Sequence, residues 1–559
     1  MNIHELLSGW DFAVIALYAV VLVGIGLWVS RHLKDSEDIF LGGRSVRWYN
    51  IAASLFGTNV GPSFLIASTS AAYGMGMVTA SFEWLAWICL FLLCAIFLPH
   101  YLGMRVTTMP EFVKRRFGAA SYNFLSYYAL FTTLILWIAG ALYPGAVLLC
   151  QMLAWPLWVS AAVLMLLCLV IAASGGLLAI AITDTYQSIL IITGALAMTL
   201  IGMHHVGGIS RLLEATPPHY WELFRPLSDR DYPWLTLVLG YPVLGIWFWC
   251  TDQTIVQRVL AARNFSHSVG GCLATGFLKI LPPFIFMLPG ILCYVLHPGL
   301  KSPDEAFLTM VTNYMPVGMK GLICVVLIAA LVSTVDAGVN SFSTIFTLDI
   351  WVRQFRPQAS KQEIRKLGRI TTGVVSVLAV LCAIAMGGAG KDIFSLFQSI
   401  IGYFAPPMAA VFLVGVLWKR ATGRAAFLTL VGGTTLCLSI GALDFYNKPL
   451  LLNLFNVVLP WHVEAPPHFL YLSFALFVLC LLSVVALSLL TRTAPEEEAL
   501  SSLGAAYAKL GARVRWLFAG WAALAAVMVM LYIGFEKLAD RPVVAPTVDG
   551  QQQNQMLNR

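Results

Sequence analysis

Fourteen apolar runs of roughly eighteen or more residues recur along the chain. They lie near 11–30, 47–76, 78–98, 122–152, 156–174, 177–203, 235–261, 271–297, 319–349, 369–387, 394–417, 424–443, 467–491 and 514–535. A soluble domain could not hide so many. The sequence is 59% hydrophobic and only 11% charged, where soluble domains carry about 25% charged residues. The pattern predicts an all-α polytopic membrane protein with about 14 transmembrane helices, since a helix satisfies its own backbone in lipid. The first run carries Asp11 at its start and has neither a basic leader nor an A-x-A cleavage site. It reads as an anchor and not as a removed signal peptide.

Lys and Arg set the expected orientation. With both termini outside, well over half of the 34 Lys and Arg fall on inner segments, most densely in "RQFRPQASKQEIRKLGR", 353–369. The net charge of +7 is thus a topology signal, and no basic segment interleaved with exposed aromatics suggests nucleic acid. The 11 cysteines sit in or at the ends of apolar runs without C-x-x-C spacing, so they read as small packing residues. His204 and His205 are adjacent at a run's end and cannot share a helical face, so they read as interfacial and not as a metal site. No zinc spacing, nucleophile elbow or P-loop occurs, which argues against an enzyme, an organic cofactor or an ATP-driven pump. The segment 492–513 is amphipathic enough for a surface helix, and the tail 536–559 is polar.

Two runs contain helix-breaking clusters. One is "SLFGTNVGPSFLI", 54–66; the other is "GYPVLG", 240–245, ahead of "WFWCTDQTIVQR". Interrupted helices at corresponding places of two halves point to an inverted-repeat transporter. A break at membrane depth frees carbonyl oxygens, which cost several kcal/mol unless satisfied. A bound cation can satisfy them.

At this point the residues resemble a family. "IFLGGRS" (39–45), "ASLFGTNVG" (53–61), "SFEW" (81–84), "TMPEFVKRRFG" (108–118), "ITDTYQ" (182–187), "WFWCTDQTIVQRVLAARN" (247–264), "STIFTLDIW" (343–351), "FQSIIGYFAPPMAAVFLVGVLWKR" (397–420) and "LSLLTR" (487–492) occur in order. Together they resemble the sodium/solute symporters, in their sodium/glucose cotransporter-like branch. The resemblance implies a LeuT-like five-plus-five inverted-repeat core with discontinuous first and sixth core helices. It also implies coupled inward movement of Na⁺ and a small polar solute by alternating access. The expected organisation is an extra N-terminal helix and inner loop (1–46), a first repeat (47–205), an outer loop (206–234), a second repeat (235–418), three further helices with linkers (419–535) and a polar tail (536–559).

The same resemblance implies the sites. Na⁺ would lie between the break and the eighth core helix, held by the carbonyls of Gly57, Val60 and Ala330 and the hydroxyls of Ser333 and Thr334. Asp184, in "ITDTYQ", stands at a position on the inner side of the ion path. Asp336 replaces a neutral, often hydroxylated residue one turn beyond Ser333. An acid at helix centre costs about 2.5–3.5 kcal/mol on insertion scales, so Asp184 and Asp336 are expected to hold a second cation or a proton. The alternative for Asp336 is a water-filled vestibule in which it titrates normally.

For the solute, the resemblance points to Glu83, Lys279, Gln398 and Asn59, with Lys279 read as the single basic residue inside a span. Phe64, with Ser63 beside it, stands where relatives carry His or Gln, and Phe248 stands where they carry an aromatic Tyr gate. Gly245 and Ala86 also depart from hydroxyl-recognising residues. The resemblance favours a sugar or polyol; because fewer hydroxyl partners remain, the solute is expected to be less hydroxylated, a polyol, or a sugar held by fewer bonds. A solute-gated sensor or cation leak on the same scaffold, or symport of a non-sugar solute, are the other readings. The sparse outer loops favour a bacterial inner membrane.

Overall fold

The computed structural model describes residues 7–31, 40–153, 155–229, 231–386, 393–446, 448–458, 467–491, 503–510 and 515–541. Parts of three expected features, the loop within 31–46, the linker 492–513 and the tail beyond 541, lie outside them. Of the linker, Leu503–Leu510 is helical, and Tyr507 donates to the Ala95 carbonyl at 3.2 Å.

Twelve helices among the described residues are long and apolar enough to cross a membrane, and Leu157–Leu169 is a shorter apolar helix. Each of the fourteen expected runs has a counterpart. The second run is a pair of half-helices, whose latter half continues into the third within Pro62–Gly103. The fifth and sixth runs meet at Gly176, whose φ of 56° belongs to the left-handed region that favours glycine.

The elements that frame the sites are α1 (Gly9–Ser30), α2 (Trp48–Asn59), α3 (Pro62–Met75), α4 (Gly176–Val206), α5 (Trp234–Gly245), α6 (Gln253–Leu260), α7 (Phe265–Leu278), α8 (Met319–Thr344) and α9 (Ile393–Leu417). α2 packs on α4, α7 and α8, and α4 packs on α8. α8 is buried along nearly its whole length. That fits an all-round apolar helix at the centre of a bundle, not a helix with one apolar stripe.

The first core helix breaks where expected. Val60 has ψ of 72° and Gly61 has ψ of 168°, and the helix restarts with Pro62 at its first position. Proline pushes the residue before it into extended backbone and lacks the N–H that a continuing helix would need.

The second break does not fall at 240–245. α5 runs through Pro242, the chain continues as a π-helical turn over Ile246–Thr251, and the backbone becomes extended at Asp252 (ψ 131°). Pro242 therefore does not end the helix, as membrane helices tolerate proline where their surroundings meet the freed backbone groups. The Asp252 carboxylate then accepts from the Thr254 N–H at 2.8 Å and restarts the chain as α6.

A further interruption falls after α7. Lys279, Ile280 and Leu281 form turns, followed by Pro282 and Pro283, which supply no N–H.

At one end of the bundle, Arg116 from "TMPEFVKRRFG" donates to the carbonyls of Gly415, Trp418 and Ala421 at 3.0–3.1 Å. It closes the last turn of α9, where carbonyls have no intrahelical donor. Close by, Glu111 pairs with Arg115 and Arg353 at 2.8 Å each, and Asp349 pairs with Arg353 and accepts from Thr108 at 3.0 Å. This network ties the segment after α8 to the helix Met109–Phe117.

Candidate cation and solute sites

The break at Val60–Gly61 leaves backbone oxygens without donors. Because Pro62 has no N–H, the Thr58 carbonyl cannot be served from within the chain's own turn, and Thr334 Oγ1 donates to it at 3.0 Å from α8. The Gly61 N–H does not bond back to the Gly57 carbonyl, and the Val60 carbonyl likewise receives no backbone donor. Both residues are buried. The Ala330 carbonyl, at 2.9 Å, shares that single hydroxyl proton, in the back-bond to i−4 common for Thr in helices. The lone pairs of the Thr334 oxygen remain available.

Ser333 faces the same place. A Cβ added at Gly57 would lie 2.9 Å from Ser333 Oγ and 2.9 Å from Ser188 Oγ, and one at Gly61 would lie 3.2 Å from Thr334 Oγ1. Ser333 Oγ is fully buried, and its nearest polar neighbour among the side chains is the Asp184 carboxylate, which it approaches without a hydrogen bond of ordinary geometry. A hard monovalent cation asks for several neutral oxygens at close range. Here the break brings undonated carbonyls and the buried Ser333 hydroxyl into one region, and a single methyl group on Gly57 would press on that hydroxyl.

Asp184 and Asp336 are buried, and each has an Oδ1 without a partner. The sequence reading missed their cationic neighbour. Lys279 is not the only basic side chain buried in the core: Arg258, on α6 between two spans, is 2% exposed. Its Nε donates to Ser54 Oγ at 2.7 Å, Ser54 donates in turn to Asp184, and the Arg258–Asp184 ion pair spans 3.9 Å. Asp252 and Asp336 also lie within electrostatic reach of the guanidinium. Arg258 was hidden because a basic residue near a span's end normally reaches for water. The available signal was its place in α6, a strongly amphipathic segment with Asp252, Gln253 and Gln257 turned inward.

The solute candidates gather around a cavity of about 120 Å³. Asn59, Ser63, Phe64, Glu83, Phe248 and Gln398 line it, and so does Thr334 from the cation side. Lys279 does not line it. Its ammonium is buried behind the wall, paired with Glu83 and hydrogen-bonded to Asn59 Oδ1, with the Trp249 ring centre 5.2 Å away. Lys279 therefore acts on the cavity through the Glu83 and Asn59 groups that it orients. The interruption after α7 places it there, and the neighbouring Trp84 indole takes the Ile280 carbonyl at 3.2 Å.

Ser63 spends its hydroxyl on the Gly140 carbonyl at 2.9 Å. Phe64 meets Phe286 edge-on, and Phe248 lies against Trp137 at 5.1 Å with 31° between ring planes. Trp137 was not singled out from the sequence. Gln398 makes no hydrogen bond to another described residue, so its amide can both donate and accept toward the cavity. The polar groups thus sit on a wall that is otherwise aromatic and aliphatic.

The sequence profile of the Sodium:solute symporter family matches residues 39–433. The chain is 32% identical to human Sodium/glucose cotransporter 4 over 88% of its own length and 77% of that protein's. It is 34% identical to Sodium/myo-inositol cotransporter 2 of Oryctolagus cuniculus over 88% and 78%. Among solved structures, the substrate-bound outward-open state of a Na⁺-coupled sialic acid symporter superposes with a TM-score of 0.76. It is 20% identical and covers 88% of this chain and 99% of that one. At that identity the likeness is one of fold: a LeuT-like core with interrupted helices. The chain belongs to the sodium:solute symporter family, a family of sodium-coupled membrane transporters and not of enzymes.

Proposed function

We propose that this protein carries a sugar or polyol inward together with Na⁺. The ion sits between the Val60–Gly61 break and α8, on the carbonyls of Gly57, Val60 and Ala330 and the hydroxyls of Ser333 and Thr334. The solute occupies the aromatic cavity, read by Glu83, Asn59 and Gln398, with Lys279 holding the first two in place. Phe64 and Phe248 pack on its apolar faces, and Ser63 fixes the wall beside Phe64. Thr334 and Thr58 border both sites, so ordering of the break by Na⁺ shapes the solute cavity.

The observation that carries this reading is the pair of undonated carbonyls at the break, Gly57 and Val60, with the buried Ser333 hydroxyl beside Gly57 and Asp184 next to that hydroxyl. Cotransport of glucose and of myo-inositol by relatives supports a hydroxylated solute. Asp184 and Asp336 form a second acidic site that takes a cation or a proton beside Arg258. The Lys and Arg distribution supports both termini outside, and the short outer segments support a bacterial inner membrane.

The test is uptake of labelled sugars, polyols and carboxylates into proteoliposomes with and without a Na⁺ gradient, together with counterflow. Na⁺-driven accumulation of a sugar or polyol is expected. Na⁺ current without solute flux would replace symport by a sensor or leak, and accumulation of carboxylates alone would overturn the solute class.

A further inference from the structure

α1 is exposed on most of its surface, with Trp10, Leu17, Val20 and Trp28 facing outward. One narrow stripe is buried: Asp11, Tyr18, Leu22 and Val29, each 3% exposed or less. The spacing keeps these residues on one helical face. A lipid-facing helix has no need of an acid and a phenol on that stripe, and both make contacts outside α1.

Asp11 serves two helix starts. Its Oδ2 accepts from the Ser8 N–H at 2.8 Å and the Ser8 hydroxyl at 2.7 Å, closing α1's own capping box. Its Oδ1 accepts from the N–H groups of Gly318 at 2.9 Å and Gly321 at 2.6 Å, at the first turn of α8. Those N–H groups have no partner inside their own helix. The approach depends on glycine, because a Cβ at Gly321 would lie 2.5 Å from Asp11 Cα.

Two turns deeper, the Tyr18 hydroxyl accepts from Gln187 Nε2 of α4 at 3.1 Å, and its ring stacks on Tyr186. Gln187 follows Asp184 by one turn and precedes Ser188, which lies beside Gly57. Tyr18 is also within electrostatic reach of Asp336 on α8. α1 thus holds α8 at one point and α4 at another, and these two helices carry the hydroxyls and acids that face the break.

We infer that α1 is a clamp that sets the spacing and axial position of α4 against α8, and so sets the affinity for Na⁺, with Asp11 and Tyr18 as positioning residues. This rests on the cation site proposed above. Neither residue touches the ion or the solute cavity. Loss of either contact loosens the two walls relative to each other and leaves the donor groups themselves intact.

The experiment measures Na⁺ half-saturation, solute half-saturation at saturating Na⁺, and maximal rate in proteoliposomes for Tyr18→Phe, Asp11→Asn and Ser333→Ala. Tyr18→Phe removes one hydroxyl from a helix that otherwise packs unchanged, so it reports even if the Asp11 variant folds poorly. The expected result for Tyr18→Phe and Asp11→Asn is a Na⁺ half-saturation raised about three- to tenfold, as for one lost buried hydrogen bond. Solute half-saturation and maximal rate should stay within about twofold of wild type. A shift in Ser333→Ala with none in Tyr18→Phe and Asp11→Asn overturns the clamp alone. A parallel fall in maximal rate and solute affinity also overturns it, because it marks general damage. No Na⁺ shift in Ser333→Ala overturns the cation site itself.

Discussion

Gly57 lacks a side chain at the point where a methyl group would press on two hydroxyl oxygens, 2.9 Å away on either side. It lies within α2, in helical backbone that alanine adopts readily. Gly57→Ala is therefore expected to keep the helix, to displace the Ser188 or Ser333 hydroxyl, and to fill the proposed cation cradle. Na⁺-driven uptake should fall at least about tenfold, with Na⁺ half-saturation raised, while thermal stability without Na⁺ stays near wild type. Uptake against Na⁺ concentration, beside a melting curve, checks both. The buried Glu83–Lys279 pair gives a second case. Removing one partner strands a charge and costs about 3–5 kcal/mol, whereas removing both costs less. Lys279→Met should destabilise the protein more than the double change Glu83→Gln with Lys279→Met, although both abolish solute uptake. A double-mutant cycle on melting temperature shows this, and additive losses would refute it. At this scale the sequence revealed groups whose chemistry is odd for their surroundings: an acid or a lysine in an apolar run, hydroxyls opposite a Gly-Pro break. It did not reveal Arg258 or Trp137. An arginine near a span's end and a tryptophan in a span are ordinary there, and only the fold brings Arg258 to Asp184 and Trp137 to Phe248.

The broken helices show why some elements are legible and others are not. Gly61–Pro62 stops a helix by local chemistry: the chain's own backbone cannot supply the missing N–H, and a donor from α8, Thr334, takes its place. Pro242 has the same defect, yet α5 runs through it and the break moves on, past the π turn over Ile246–Thr251, to Asp252. That choice depends on packing, which no local pattern contains. The interruption at Lys279 was signalled by the Pro282–Pro283 pair but is masked by the apolar residues around it. The link between α8's continuation and Met109–Phe117 supports a prediction about pH. Burial pushes the Glu111 carboxyl up, but Arg353, the Thr107 N–H and Arg115 together hold it below the ordinary carboxylate range. A carboxyl lowered in the folded state contributes stability that is complete above its unfolded value, about 4.3. The contribution is lost as pH falls through the lower folded value. Glu111→Gln should thus melt about 1–3 °C below wild type at pH 7. The gap should close as the pH is brought down through the carboxylate range. A gap independent of pH would mean that the carboxylate's charge is not what the network uses.

Across the whole molecule, the charges buried around the two sites do not cancel. Glu83 and Lys279 neutralise each other beside the solute cavity. On the other side Arg258 stands against Asp184, Asp252 and Asp336. Asp252 is served by the start of α6, and Asp184 by Ser54 and the guanidinium. Asp184 and Asp336 each keep an oxygen with no partner, and Asp336 makes no hydrogen bond or ion pair with another described residue. An isolated buried carboxylate is costly enough that it takes up a proton or a cation instead. If that second charge travels with the solute, it changes what the transporter can do. One Na⁺ crossing about 100 mV releases about 2.3 kcal/mol, and a tenfold gradient adds about 1.4 kcal/mol. One ion therefore supports accumulation of several hundredfold, and a second coupled charge roughly squares that limit. Asp336→Asn keeps the side chain's shape and removes its charge, so the cradle at Gly57 and Ser333 remains while the second site is lost. Wild type should show two charges moved per solute in reversal-potential measurements, and Asp336→Asn one, with a correspondingly lower accumulation ceiling. If the second charge is a proton, the wild-type ratio is fixed in Na⁺ but shifts with the pH gradient, and that sensitivity disappears in the variant. An unchanged charge ratio together with an unchanged pH response would mean that Asp336 is compensated within the protein and takes no part in coupling.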